Sequence, residues 1–116
     1  MRNKEFEKSN TYNLVEKIEY LPSSVVCKTI IKKATGNISL FAIDEGETFA
    51  VKISPFDAFI QIIDGIAKIV INQNSYLVKT GQSIIIPAHA SNTFIANKRF
   101  KMISTIIKSG YEENNI

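Results

Sequence analysis

The side chains able to do chemistry are few. There is one histidine, His89, and one cysteine, Cys27. A single imidazole cannot supply a three-histidine metal site. Cys27 has no histidine near it in sequence and reads as a small buried hydrophobe rather than a nucleophile. No phosphate loop, nucleophile elbow or pair of catalytic carboxylates occurs. What remains is a set of polar residues, Lys52, Ser54, Gln61, His89 and Asn92, able to hydrogen-bond a small molecule or to satisfy one another. Two glycine-anchored segments set the spacing of most of them. After Gly46 come five residues, then Lys52-Ile53-Ser54, three more and Ala58, six more and Gly65. After Gly81 come five residues, then Pro87, Ala88, His89, two more and Asn92, and three more lead to Ala96. Fifteen residues separate Gly65 from Gly81.

The elements that must position these residues are short β-branched runs between turn signals. Strands are expected over Val25–Lys33, Ile38–Ile43, Thr48–Ile53, Ala58–Asp64, Ala67–Ile71, Tyr76–Lys79, Ser83–Pro87, Thr93–Ala96 and Phe100–Lys108. Thr35-Gly36-Asn37, Asp64-Gly65, Asn72-Gln73 and Thr80-Gly81 read as turns. Before them, Asn13 can cap and Glu16 follows three residues on, so Leu14 to Tyr20 reads as one helical turn or an irregular bridge, ended by Leu21-Pro22. About nine strands with no helix-length periodic segment among them predict an antiparallel, all-β sandwich or barrel. The domain is expected over residues 13–108, with a mobile polar segment at 1–12 and a frayed polar tail at 109–116. Several strands are apolar on both faces: Ile84-Ile85-Ile86, Phe59-Ile60, Ile62-Ile63, Met102-Ile103 and Ile106-Ile107. A strand with one wet face should alternate. Something must therefore cover the outside of at least one sheet, and a second copy of the chain is the economical candidate.

Composition excludes several classes. The 116 residues fit one domain, large enough for a core without disulfides. The net charge of +3 is mild and the lysines are scattered, so no stripe for nucleic acid forms. No apolar run reaches the length of a membrane span. The polar opening Arg2 to Asn10 does not read as a leader, and with the unpaired cysteine it sets the expectation of a cytoplasmic, reducing location.

The spacing of the two segments resembles that of the cupin family. The first family motif runs Gly, five residues, His-x-His, three or four residues, Glu, six residues, Gly. The second runs Gly, five residues, Pro-x-Gly, two residues, His, three residues, Asn. The stretch Ser24–Ile107 is similar to the small single-domain bacterial cupins, and the resemblance implies a double-stranded β-helix, or jelly-roll, barrel. It also implies that the four metal-ligand positions are here Lys52, Ser54, Ala58 and Asn92, and that His89 stands where the second motif has glycine. Alanine has no donor, a lysine ammonium repels a divalent ion, and Ser and Asn suit a transition metal poorly. No metal and no cofactor are therefore expected, and the family's metal-dependent activities do not transfer. In the family frame Lys52 points inward.

The reading is a metal-free, cupin-like homodimer that binds a small polar or anionic molecule in the barrel. The alternative is a metal-independent sugar isomerase or epimerase, which would need His89 oriented by a carboxylate. An open pocket on which Lys52 and Asn92 converge supports binding, a paired His89 supports catalysis, and a barrel plugged by Ile and Phe supports neither.

Overall fold

The computed structural model describes residues 4–110. Eight strands form one curled antiparallel sheet: β1 (Val25–Lys33), β2 (Gly36–Ile43), β3 (Thr48–Val51), β4 (Ala58–Ile71), β5 (Asn74–Lys79), β6 (Ser83–Ile86), β7 (Asn92–Ile95) and β8 (Phe100–Ile107). The path runs β1-β2-β8-β4-β7-β3, with β5 and β6 also paired to β4. The β-branched and aromatic content of these runs, and the turn residues between them, favour strands throughout.

The long strand β4 gives the molecule its curl. Its first half pairs with β6 and β8, and its second half with β5 and β7. The expected hairpin at Asp64-Gly65 is absent: the fourteen residues Ala58–Ile71 form one strand. Gly65 takes φ +80, and a Cβ there would lie 2.2 Å from the Arg99 carbonyl oxygen. The ladder to β8 shifts register between Ile62 and Asp64. Asp64-Gly65 is thus a bulge with a glycine bend where the chain passes from one half of the sheet to the other, a use of glycine that looks like a turn in sequence. True two-residue turns occur at Asn72-Gln73, where both residues have positive φ, and at Thr80-Gly81. The first hairpin turns at Ala34-Thr35, and Gly36 already belongs to β2. There its missing Cβ leaves room for the Ile106 carbonyl, which would otherwise lie at 2.6 Å.

Alternation sorts the sheet's two faces. Ile60, Ile62, Ile69, Phe94, Phe100 and Met102 point into the main core. Leu40 and Ala42 point outward, yet both are fully buried in a second cluster with Ile18. The cover there is the chain's own N-terminal segment. Phe6, Leu14, Ile18 and Tyr20 pack on Leu40, Ala42, Val26, Ile30, Ile63 and Ile103. Backbone ties hold it: Phe6 N–H donates to Ile30 O at 3.1 Å, and the Glu5 carboxylate accepts from Lys32 N–H at 3.0 Å. The described part of the segment expected to be mobile, residues 4–12, is therefore docked. Of the expected tail only Ser109 and Gly110 are described. The helical turn is a 3-10 turn at Leu14–Lys17, and Asn13 makes no side-chain cap. Its carbonyl instead accepts from Glu16 N–H at 2.9 Å.

Candidate functional site

A cavity of about 160 Å³ opens inside the curl of the sheet. Three aromatic rings form one wall: Phe41 and Phe49 lie 5.5 Å apart, and Phe49 and Phe94 lie 6.0 Å apart. They meet because β3 and β7 pair Phe49 with Phe94 on the inner face. Val51 opposes Asn92 in the same ladder, which sets Lys52 and Asn92 at the same end of the sheet. From β2 and β8, Asn37, Ser39 and Ser104 add polar groups to an otherwise apolar lining.

The four positions that the family frame marks as ligands, Lys52, Ser54, Ala58 and Asn92, all line this cavity. Lys52 is exposed, just beyond the end of β3. The Ser54 hydroxyl accepts from Phe56 N–H at 3.1 Å. Asn92 donates from Nδ2 to Ala90 O at 3.4 Å, while its Oδ1 is buried without a hydrogen-bond partner among the described residues. Ser54 and Asn92 therefore do not satisfy each other. The donor set does not fit a transition metal: an ammonium, a hydroxyl, a methyl and an amide offer no anionic or imidazole ligand.

The other two candidates fall outside the lining. Gln61 opposes Ile103 on β8, and Ile103 belongs to the outer cluster, so Gln61 faces the exterior of the sheet. His89 is exposed in the loop between β6 and β7 with φ +68. Its backbone N–H donates to Ser54 O at 2.7 Å, and Ala88 N–H donates to Asp57 Oδ1 at 2.8 Å. These bonds tie the loop after β3 to the loop after β6 beside the cavity. Among the described residues no carboxylate is recorded on the His89 ring, the arrangement that acid/base catalysis would need.

Sequence reasoning missed the cavity residues of β2. Asn37, Ser39 and Phe41 alternate with the outward-facing Ile38, Leu40 and Ala42, so a period of two was available as a signal. It also missed a polar cluster on the outside. Tyr20 donates its hydroxyl to Asp64 Oδ2 at 2.7 Å, and the Arg99 and Lys101 cations lie 4.5 and 5.0 Å from the centre of its ring. Burial and the Asp64 carboxylate push the Tyr20 hydroxyl pKa well up. Lys101, only 8% exposed, donates to Val15 O at 2.6 Å. Asp64 is thus a partner for the N-terminal segment, not a turn residue. Cys27, expected to be buried, is exposed on the edge strand β1, and partial burial raises its thiol pKa.

No family model and no curated protein matches the chain. Solved structures do. A conserved protein of unknown function from Streptococcus pyogenes is 26% identical over 95% of this chain and 97% of its own, with a TM-score of 0.85. A cupin 2 conserved barrel domain protein from Leptotrichia buccalis is 28% identical over 84% of this chain and 47% of its own, with a TM-score of 0.81. A cupin superfamily protein from Desulfitobacterium hafniense is 22% identical over 92% and 98%, with a TM-score of 0.82. Among the described residues no helix is long and apolar enough to cross a membrane. With the curled antiparallel sheet that it shares with these proteins, and with both glycine-anchored segments in register with its strands, this chain has the cupin fold.

Proposed function

We propose that the chain binds a small polar or anionic molecule in its cavity without a transition metal. The observation that carries this reading is the convergence of Lys52 and Asn92 on an open cavity rather than on a plugged barrel. Lys52 stands where an incoming carboxylate or phosphate would meet it. A charge-assisted bond of that kind contributes roughly 1.5–3 kcal/mol, or about ten- to a hundredfold in affinity. Native mass spectrometry of the purified protein, followed by a titration of small carboxylates and phosphate, tests it. The expected result is an anion bound by the parent and weakened about ten- to a hundredfold in Lys52→Met. Equal binding by the two proteins would show that Lys52 serves only as a solvated surface cation. The isomerase or epimerase alternative gains no support, because His89 stands outside the cavity lining.

The working form that we propose is a homodimer. The support is an apolar row on the outer face of the sheet that the N-terminal segment leaves uncovered.

A further inference from the structure

We infer that this cavity takes a single ring carrying an N–H or O–H donor; this rests on the small-molecule reading above and specifies its ligand. Size is the first argument. The cavity measures about 160 Å³, and an engineered, apolar cavity of about 150 Å³ in another protein takes up benzene. One six-membered ring fits that space, and a disaccharide or a nucleotide does not. The walls are the second argument. Phe41, Phe49 and Phe94 form a continuous run of tilted rings, with interplanar angles of 40° and 31°. Met102 and Ile60 also line the space. Such surfaces favour a flat apolar body, by ring-to-ring and sulfur-to-ring contact.

The third argument is Asn92. Its Nδ2 faces the Ala90 carbonyl, which can only accept, so the amide oxygen must be the end left over. That oxygen is buried and has no hydrogen-bond partner among the described residues. An acceptor in that condition is costly, and a donor brought by a ligand recovers the loss. The bond to Ala90 is long, at 3.4 Å. The final torsion of an asparagine is soft, so a small turn of the amide presents Oδ1 to the cavity while giving up little. Lys52 follows Val51, the ladder partner of Asn92, so the two lie at the same end of the cavity. A ring whose donor meets Asn92 would therefore bring an adjacent anionic substituent near the ammonium.

The probes are phenol and anisole, two rings of like shape of which only phenol has an O–H donor. Heteronuclear NMR titration of the intact protein follows the Met102 methyl, which reports on the cavity itself. Phenol is expected to shift Met102 with about tenfold higher affinity than anisole, the worth of one recovered hydrogen bond. In Asn92→Leu the two rings are expected to bind alike. Equal affinity in the parent overturns the inference, as does a phenol preference that survives in Asn92→Leu. If Asn92→Leu does not fold, the comparison within the parent still decides. Failure of both rings to move Met102 overturns the one-ring assignment as well, and the Lys52→Met comparison then judges the wider binding reading separately.

Discussion

At the residue scale, Tyr20 joins electrostatics to architecture. Its hydroxyl donates to Asp64, and Arg99 and Lys101 both lie against its ring. Burial first, and Asp64 second, raise its pKa above the ordinary tyrosine value. The sign of the linkage follows. Below about pH 10, tyrosine is protonated in both the folded and the unfolded chain. Above it the unfolded chain releases the proton and the folded chain holds it, so stability is lost as pH rises through the folded value. Tyr20→Phe is therefore expected to lower stability near neutral pH by about 1 kcal/mol, for one hydrogen bond to a partly exposed carboxylate. It should also flatten the alkaline fall in stability above about pH 10. Denaturant melts of both proteins at pH 7 and pH 10.5 check this; an equal alkaline loss in the two would refute the assignment. Cys27, also raised, adds a loss of the same sign, which cancels between the two proteins. This cluster was not legible in the sequence, because Tyr20 and Asp64 are 44 residues apart and only the folded chain joins them. Lys52, Ser54 and Asn92 were singled out by the resemblance of their spacing to the family's motifs, and all three line the cavity. Gln61 and His89 were not excluded by that spacing. A polar residue in a strand reads alike from either face until the register is known.

At the element scale, the strands were legible to within a few residues, because β-branched runs and turn residues are local signals. The exception is β4. Asp64-Gly65 carries the same two letters as a hairpin turn, and the deciding contact, with the Arg99 carbonyl, comes from 34 residues further on. That contact makes Gly65 a sharp test of the architecture. Gly65→Ala would bring a methyl to 2.2 Å from backbone and would hold an L-residue at φ +80. The conformation alone costs about 1–2 kcal/mol, and a carbonyl fixed in a ladder cannot yield cheaply. A total loss above about 2 kcal/mol is expected, among the larger single-site effects. Gly46→Ala is the control, since it shares a positive φ but meets nothing within 4 Å. Its loss should be limited to the conformational part. Equal denaturation midpoints for the two variants would mean that the close approach at β8 contributes nothing.

At the scale of the whole molecule, the sheet's outer face is divided. Strands apolar on both sides pointed to a cover, and the inference to a second copy treated that face as uniform. One part is covered by the N-terminal segment, whose Phe6, Leu14, Ile18 and Tyr20 lie far in sequence from the strands they shield. Beside it a row remains uncovered among the described residues. Register places Ile85 opposite Phe59, Phe59 opposite Thr105, Thr105 opposite Ile38 and Ile38 opposite Ile31. Paired residues share a face, so the row crosses five strands on the outside of the sheet. Ile85 is 63% exposed, Phe59 38% and Ile31 40%, with Ile107 nearby at 54%. Side chains this large in one line form a contiguous patch rather than the scattered exposure normal for a surface. A face-to-face pairing of two such rows, bordered by the two N-terminal segments, would bury an apolar strip continuous with a region already packed. Stable interfaces bury on the order of 1,200–2,000 Å² in total, so the polar rim must contribute along with the row. Sedimentation at micromolar concentration is expected to give twice the 13.0 kDa chain mass. The double variant Phe59→Asp, Ile85→Asp is expected to give the single-chain mass with an unchanged far-UV spectrum, because both side chains point away from the main core. A parent that sediments only at 13.0 kDa would leave the row without this partner.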